Sequence, residues 1–336
     1  MSGPRSISDA IFGPLDDDTR RRFGLLHDPA PDLRTQEQAQ IESAGGPQSG
    51  WQLDRTDWLA VGKRSLAAIS KDRVTSVAGG VTFFGLLSLF PAITALVSIY
   101  AVLADPMTID SHLQGLSHLL PEGAMQIISG QVNSIAAAPK NALSAAGAVA
   151  ILLALYSAMG GIKALLEALN IAWFQPETRG FFQLNLVAFL FTIGAIGLII
   201  ALIGLVAVLP LMLSYLPLGG GTVTGLRWPL MFGALILALA VLYRWGPSRH
   251  DATWQWITPG ALIASVGLIA ASLLFSWYAA NFANYNQTYG SLGAAIGLMM
   301  WLWIAAIVVM VGAEVNSEIE RQVRIRAGLP VPDSKD

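Results

Sequence analysis

Residues 281–320 read NFANYNQTYGSLGAAIGLMMWLWIAAIVVMVGAEVNSEIE, and the rest of the chain can be read outward from them. The stretch opens on Asn281, Asn284, Tyr285, Asn286, Gln287 and Tyr289, runs without a charge from Gly290 to Ala313, and breaks at Glu314. Those 24 residues, at about 1.5 Å each, make roughly 36 Å of helix, enough to cross a hydrocarbon core of about 30 Å with some tilt. Gly293 and Gly297 form a GxxxG pair, a spacing that lets a second helix come close in lipid. Trp301 and Trp303 stand as bulky neighbours to that groove. The stretch is a packed membrane helix with a polar mouth and an acidic exit.

Composition extends this reading to most of the chain. Of 336 residues, 54% are hydrophobic and 12% charged, where a soluble domain carries about 25% charge. A net charge of −2 lacks the basic excess of a nucleic-acid binder. With no cysteine, disulfides, thiolate nucleophiles and thiolate metal sites are excluded. The N-terminal MSGPRSISDAIFGPLDDD has no basic region followed by an apolar run, so no cleaved signal peptide is expected.

Taken in order, residues 1–50 read as a disordered cytoplasmic tail, rich in Pro, Gly, Asp, Gln and Arg. The Arg20–Arg22 triplet in it suits either solvated charge or contact with anionic headgroups. Residues 51–73 predict an amphipathic interfacial helix, with Trp51, Trp58, Leu59, Leu66 and Ile69 on one side and Arg55, Lys63, Arg64, Lys71 and Arg73 on the other. Residues 74–320 predict a bundle of six transmembrane helices, an all-α membrane fold, with spans at about 75–103, 142–166, 184–209, 228–243, 257–279 and 290–313. Pro91 should kink the first by removing a hydrogen bond and clashing with the Leu87 carbonyl, with Ser88 placed to re-satisfy freed backbone. An outer amphipathic segment at 108–137 is too short to span, and 321–336 reads as a second cytoplasmic tail.

An even number of spans puts both termini on one side. All of the 20 Lys and Arg except Lys140 and Arg227 then share that side, so both termini are expected in the cytoplasm.

Three stretches carry a family resemblance: YGSLGAAIGLMMWLWIAAIVVMVGAEVNSE at 289–318, VTFFGLLSLFPAI at 81–93 and, more weakly, LEALNIAW at 166–173. They resemble the YihY / virulence factor BrkB family of bacterial inner-membrane proteins, roughly from Trp58 to Glu320. The resemblance implies a multi-pass protein of the bacterial inner membrane with an envelope role. It does not support the ribonuclease activity that members were once credited with.

Two groups of residues are candidates for function. Lys163, Glu167, Asn170 and Glu314 fall near the cytoplasmic ends of spans two and six, and Lys163 and Glu167 share a helical face. Lys163 paired with Glu167 or Glu314 would make a cytoplasmic gate or a substrate contact; the same groups also suit headgroup-level staples that snorkel to water. Asn281, Asn284, Asn286, Gln287 and Tyr289 offer hydrogen bonds to a polar ligand at the outer mouth, or simply an interfacial belt. Pro91, Gly293 and Gly297 serve kinking and packing. The histidines (His27, His112, His118 and His250) form no ligand-spaced pair, and no nucleotide or nucleophile motif has its required context, so no cofactor, metal or catalytic residue is assigned.

The function expected is that of a transporter- or permease-like envelope protein, with membrane lipids and a lipid or small polar solute as partners. A non-transporting scaffold for envelope assembly is the other reading, and a ribonuclease has the least support.

Overall fold

The computed structural model describes residues 47, 49–103, 129, 145–213, 220–249, 258–281 and 293–329. Among them the chain is helical, with no strand. A 3-10 turn, Gly50–Gln52, leads into α1 (Arg55–Lys71), followed by α2 (Val74–Leu103), α3 (Ala145–Ala172), α4 (Phe181–Leu213), α5 (Gly220–Trp245), α6 (Thr258–Asn281) and α7 (Gly293–Arg326). Helices α2 to α7 supply six segments long and apolar enough to cross a membrane. The all-α, six-span class expected from sequence is what is observed. The proposed tail 1–50, apart from its last residues, and the outer segment 108–137, apart from Ser129, lie outside the described residues.

The apolar side chains explain why this bundle belongs in lipid. Phe83, Leu87, Leu152, Leu153, Leu186, Leu190, Leu237, Val266, Leu273 and Leu274 are exposed along the spans. Water would not tolerate so continuous an apolar surface on a soluble monomer. The helices follow one another around a closed ring, α7 returning to pack on α2 and also meeting α3. Among the described residues, the largest buried apolar cluster lies at one end of that ring. Leu169, Ala172 and Trp173 of α3, Leu239, Ala240 and Tyr243 of α5, Ala261 and Ala264 of α6 and Ala313 of α7 pack together there.

Several boundaries differ from the sequence reading. Helix α7 does not stop where its charges begin but continues to Arg326. Ile319 and Val323 keep the helical spacing and bury against Leu53 and Val61, while Trp58 packs alongside. Gly328, at φ 68°, then closes the helix: Leu329 N–H donates to Arg324 O and Gly328 N–H to Ile325 O. Helix α4 runs past Pro210 to Leu213, and α5 starts at Gly220, where a glycine- and threonine-rich first turn hides its onset from a hydropathy reading.

Helix α1 has two faces. Asp57, Val61, Ser65 and Ala68 are buried, whereas Trp51 before it and Leu59 and Leu66 within it stay exposed. Of the five residues that the sequence placed on the apolar side, Trp51, Leu59 and Leu66 are exposed, whereas Trp58 and Ile69 pack on the protein, and the buried side of α1 contacts α7. Between α1 and α2, Arg73 takes φ 50°, which turns the chain from the surface helix into the first span.

Candidate functional site

The closest crossing in the first half of the ring joins α2 and α3. A Cβ on Gly161 would lie 3.1 Å from Gly85 Cα, and one on Gly160 would lie 3.2 Å from Ser88 Oγ. Glycine is needed here because two backbones touch. Buried Ser88 donates to Phe84 O at 2.7 Å and accepts from Gly161 N–H at 2.7 Å. The same hydroxyl lies 3.4 Å from Ser157 O, the carbonyl that Gly161 would bond in an uninterrupted helix. Ser88 thus enters the hydrogen-bond ladder of α3 rather than compensating the Leu87 carbonyl. Three residues on, Pro91 removes a rung from α2, which nonetheless continues as helix to Leu103. A helix that shares one backbone N–H with a neighbouring hydroxyl thus faces a helix that carries a proline at this crossing.

The expected Lys163 pairings are not made. Lys163 Nζ donates to Asn185 Oδ1 of α4 at 2.6 Å and lies 5.3 Å from the centroid of the Tyr156 ring. Glu167 is exposed on the face that carries exposed Val149, Leu153 and Tyr156, and has no ion pair among the described residues. A spacing of four residues gave the two side chains a common face, but the neighbouring helix supplied the better acceptor.

Asn170 is buried and clamps two loops. Its Nδ2 donates to Glu177 Oε2 at 2.9 Å, and its Oδ1 accepts from Ser248 N–H at 2.6 Å. Arg179 bonds Glu177 at 2.7 Å and Gly246 O at 2.9 Å, so the α3–α4 and α5–α6 loops are one unit. The Arg179 hydrogen bond is the main reason Glu177 is held down at about 2, against an opposing burial effect.

Of the expected GxxxG pair, Gly293 is buried, and a Cβ on Gly297 would meet nothing within 4 Å among the described residues. Instead α6 and α7 touch at Gly260 and Gly312, where a Cβ on Gly260 would collide with Gly312 O and with the Asn316 side chain. Asn316 Oδ1 accepts from Gly260 N–H at 2.8 Å, and Tyr243 Oη donates to Val309 O at 2.7 Å.

The cytoplasm-directed end of α7, as the sequence orients it, carries polar ties that were not singled out from sequence. Arg64 bonds Glu318 at 2.6 Å and Gln322 at 2.7 Å; Gln322 in turn donates to Asp57 Oδ1 at 2.7 Å. Arg326 completes the set by bonding Asp57 at 2.8 Å. Burial alone would raise the Asp57 carboxyl; hydrogen bonds from Arg326, Gln322 and Asp54 N–H outweigh it and hold the group below its ordinary value. Arg249 pairs with Glu320 at 2.7 Å and stacks 4.6 Å from the Trp173 ring centroid. The signal for these ties was the apolar period carried on by Ile319 and Val323 through a charged run.

Some buried polar atoms have no partner among the described residues. Glu314 is fully buried, and neither of its carboxylate oxygens receives a hydrogen bond there. Trp173 Nε1, Arg249 Nε and Asn316 Nδ2 are buried donors without acceptors among the described residues, all on or beside the elements that form the Leu169–Tyr243 cluster. At the other end, Asn281 is exposed and its amide donates to Trp277 O at 2.7 Å. Asn284, Asn286, Gln287 and Tyr289 lie outside the described residues, as do the four histidines.

The sequence matches the Virulence factor BrkB family over residues 65–333. It is 28% identical over 263 residues to the ribonuclease-like protein YfkH of Bacillus subtilis, covering 73% of this chain and 90% of that protein. It is 28% identical over 266 residues to the UPF0761 membrane protein RSc1559 of Ralstonia nicotianae, covering 77% of this chain and 58% of the relative. A UPF0761 membrane protein of Vibrio cholerae is 28% identical over 260 residues, with 76% and 84% covered. The chain therefore spans less than two thirds of the Ralstonia relative. No solved structure matches it.

Proposed function

The chain belongs to the Virulence factor BrkB family of integral membrane proteins, and from that premise we propose that it works as a transporter- or permease-like protein for a lipid or small polar solute. The observation that carries the reading is the α2–α3 crossing, where Ser88 enters the ladder of α3 beside Gly160 and Gly161, and Pro91 interrupts that of α2. Broken or weakened helices of this kind let backbone rearrange around a polar substrate at membrane depth. The unpaired donors of Trp173, Arg249 and Asn316 favour a substrate rich in acceptor oxygens. In this reading the apolar cluster around Leu169 and Tyr243 is the closed gate. We place the protein in a bacterial inner membrane with both termini in the cytoplasm, in line with the distribution of its Lys and Arg.

UPF0761 membrane proteins are not a known enzyme family, and we assign this chain no catalytic activity. The word ribonuclease in the name of YfkH is said of that protein. The same apolar cluster also suits a second reading, a static scaffold whose filled end is a seal.

Thermal stability of the detergent-purified chain against a panel of phospholipids and small anionic and neutral solutes separates the two. A ligand that binds only the folded state, at 100 times its dissociation constant, stabilises by about 2.7 kcal/mol. The transport reading expects such stabilisation by one ligand class, reduced in Trp173→Phe, which keeps an aromatic ring but loses the N–H donor with the five-membered ring. Stabilisation by bulk lipid alone, unchanged in the variant, would favour the scaffold.

A further inference from the structure

Glu314 lies one turn beyond Met310, which packs with Val74, Ala78 and Ala168, and one turn before Glu318, which takes Arg64. Its carboxyl group therefore sits beneath the elbow between α1 and α2, where α3 also reaches α7. None of its surface is exposed, and neither oxygen has a donor among the described residues. An ionised carboxylate in that setting is strongly disfavoured, and a neutral acid is not.

We propose that Glu314 is a proton-binding site beneath the α1–α2 elbow, and that its ionisation loosens the elbow from α7. The charged groups described around it are few. From α1 comes Arg64, held by Glu318 and Gln322, and the elbow itself holds buried Asp72 and exposed Arg73. The packed side of α2 offers Val74 and Ala78; that of α3 offers Ala168, with Glu167 turned outward. Helix α6, which meets α7 at Gly312 and Asn316, carries no Asp, Glu, His, Lys or Arg. On α7, Glu318 and Arg321 share its side of the helix. Arg321 is only loosely held, 3.6 Å from Glu318, and its buried Nε has no acceptor. When the proton leaves, the carboxylate needs a cation, and Arg321 or Arg64 can supply one only by turning from Glu318. That movement breaks the ties to Glu318 and Gln322 that hold α1 on α7. A metal ion fits less well, because hard cations take six or so oxygen ligands. Among the described residues no group of three His, Cys, Asp or Glu is placed to hold one. The site stands without the transport reading; where that reading holds, the proton is its coupling ion.

The test is modification of the detergent-purified full chain with dicyclohexylcarbodiimide, which attacks protonated carboxyl groups in apolar surroundings, with the labelled residue identified by mass spectrometry. Glu314 should label ahead of exposed Glu167 and ion-paired Glu318, and Glu314→Gln should abolish that label. Above its transition the rate should fall about tenfold per pH unit. Arg321→Gln should move the fall to higher pH by removing the cation that receives the carboxylate; a purely structural arginine would leave the profile in place. Labelling of the parent chain decides the matter even if Glu314→Gln does not fold. Glu314 reacting no faster than Glu167, or with a flat pH profile, would overturn the site. Protection by sodium at constant pH would overturn the proton in favour of a metal ion. Neither result would touch the α2–α3 crossing on which the transport reading rests.

Discussion

Two glycines fifteen positions apart in α7 should respond in opposite ways to the same change. A Cβ on Gly312 would lie 2.6 Å from Tyr243 Oη, 2.7 Å from Ala264 Cβ and 2.8 Å from Gly260 O. Two of these neighbours are backbone or Cβ atoms, so α6 and α7 must separate or Tyr243 must leave. Over-packing of this kind costs about 1–3 kcal/mol. Losing the buried Tyr243–Val309 hydrogen bond adds about 1 kcal/mol. Gly312→Ala should therefore destabilise by about 2–4 kcal/mol in total. At Gly297 a Cβ meets open space, so Gly297→Ala should be neutral or gain up to about 1 kcal/mol from helix propensity. Equilibrium unfolding in mixed detergent micelles measures both. A Gly312→Ala variant within about 0.5 kcal/mol of the parent would refute the packing argument. So would a larger loss at Gly297, because it would restore the GxxxG seam.

Backbone and ionisation make further demands. Arg73 adopts φ 50°, so Arg73→Gly should stabilise the α1–α2 elbow by about 1 kcal/mol in the same unfolding assay. Gly328 at φ 68° should show the reverse, with Gly328→Ala costing about 1 kcal/mol and exposing the end of α7 to proteolysis. Glu177 has a folded value of about 2 against an ordinary 4.5, so its contribution is complete above about 4.5 and lost as pH falls toward 2. Solvent screening of this partly exposed group keeps the loss to about 1 kcal/mol. An acid melting series on Glu177→Gln should lack that component. Asp57 is likewise held low, so Asp57→Asn should weaken the α1–α7 contact at neutral pH, seen as faster hydrogen exchange in α1, and lessen its acid sensitivity.

The spans were legible because twenty-odd apolar residues in lipid leave little alternative to a helix. Local spacing decided less. GxxxG at Gly293 and Gly297 told which residues were small, but not which side of α7 would meet α6; the contact fell at Gly312, opposite Gly260. The Lys163–Glu167 spacing set a common face without setting its direction, and that face looks away from the packed core. The end of α7 was not legible, because charge at Glu314 reads as the end of a span. Its continuation depends on partners in α1, 254 residues earlier in the chain for the Arg64–Glu318 pair, which no local window contains. Ser88 was recognisable as a hydrogen-bonding residue beside Pro91, yet its acceptor role toward Gly161 requires two helices to be in contact first.

The cysteine-free chain allows a direct test of movement at the α2–α3 crossing. Ala158 is buried on α3 beside Ser157, so a single Ala158→Cys reports on the crossing from within the bundle. Exposed Glu167→Cys serves as the control for the side that the proposed orientation places in the cytoplasm. A charged, membrane-impermeant maleimide is applied to intact cells and, separately, to inside-out vesicles. An alternating-access protein should label in the Ala158→Cys variant from both sides, while the Glu167→Cys variant labels from the cytoplasmic side alone. Labelling of Ala158→Cys from neither side, with Glu167→Cys reacting as expected, would mean a static bundle and contradict the transport reading.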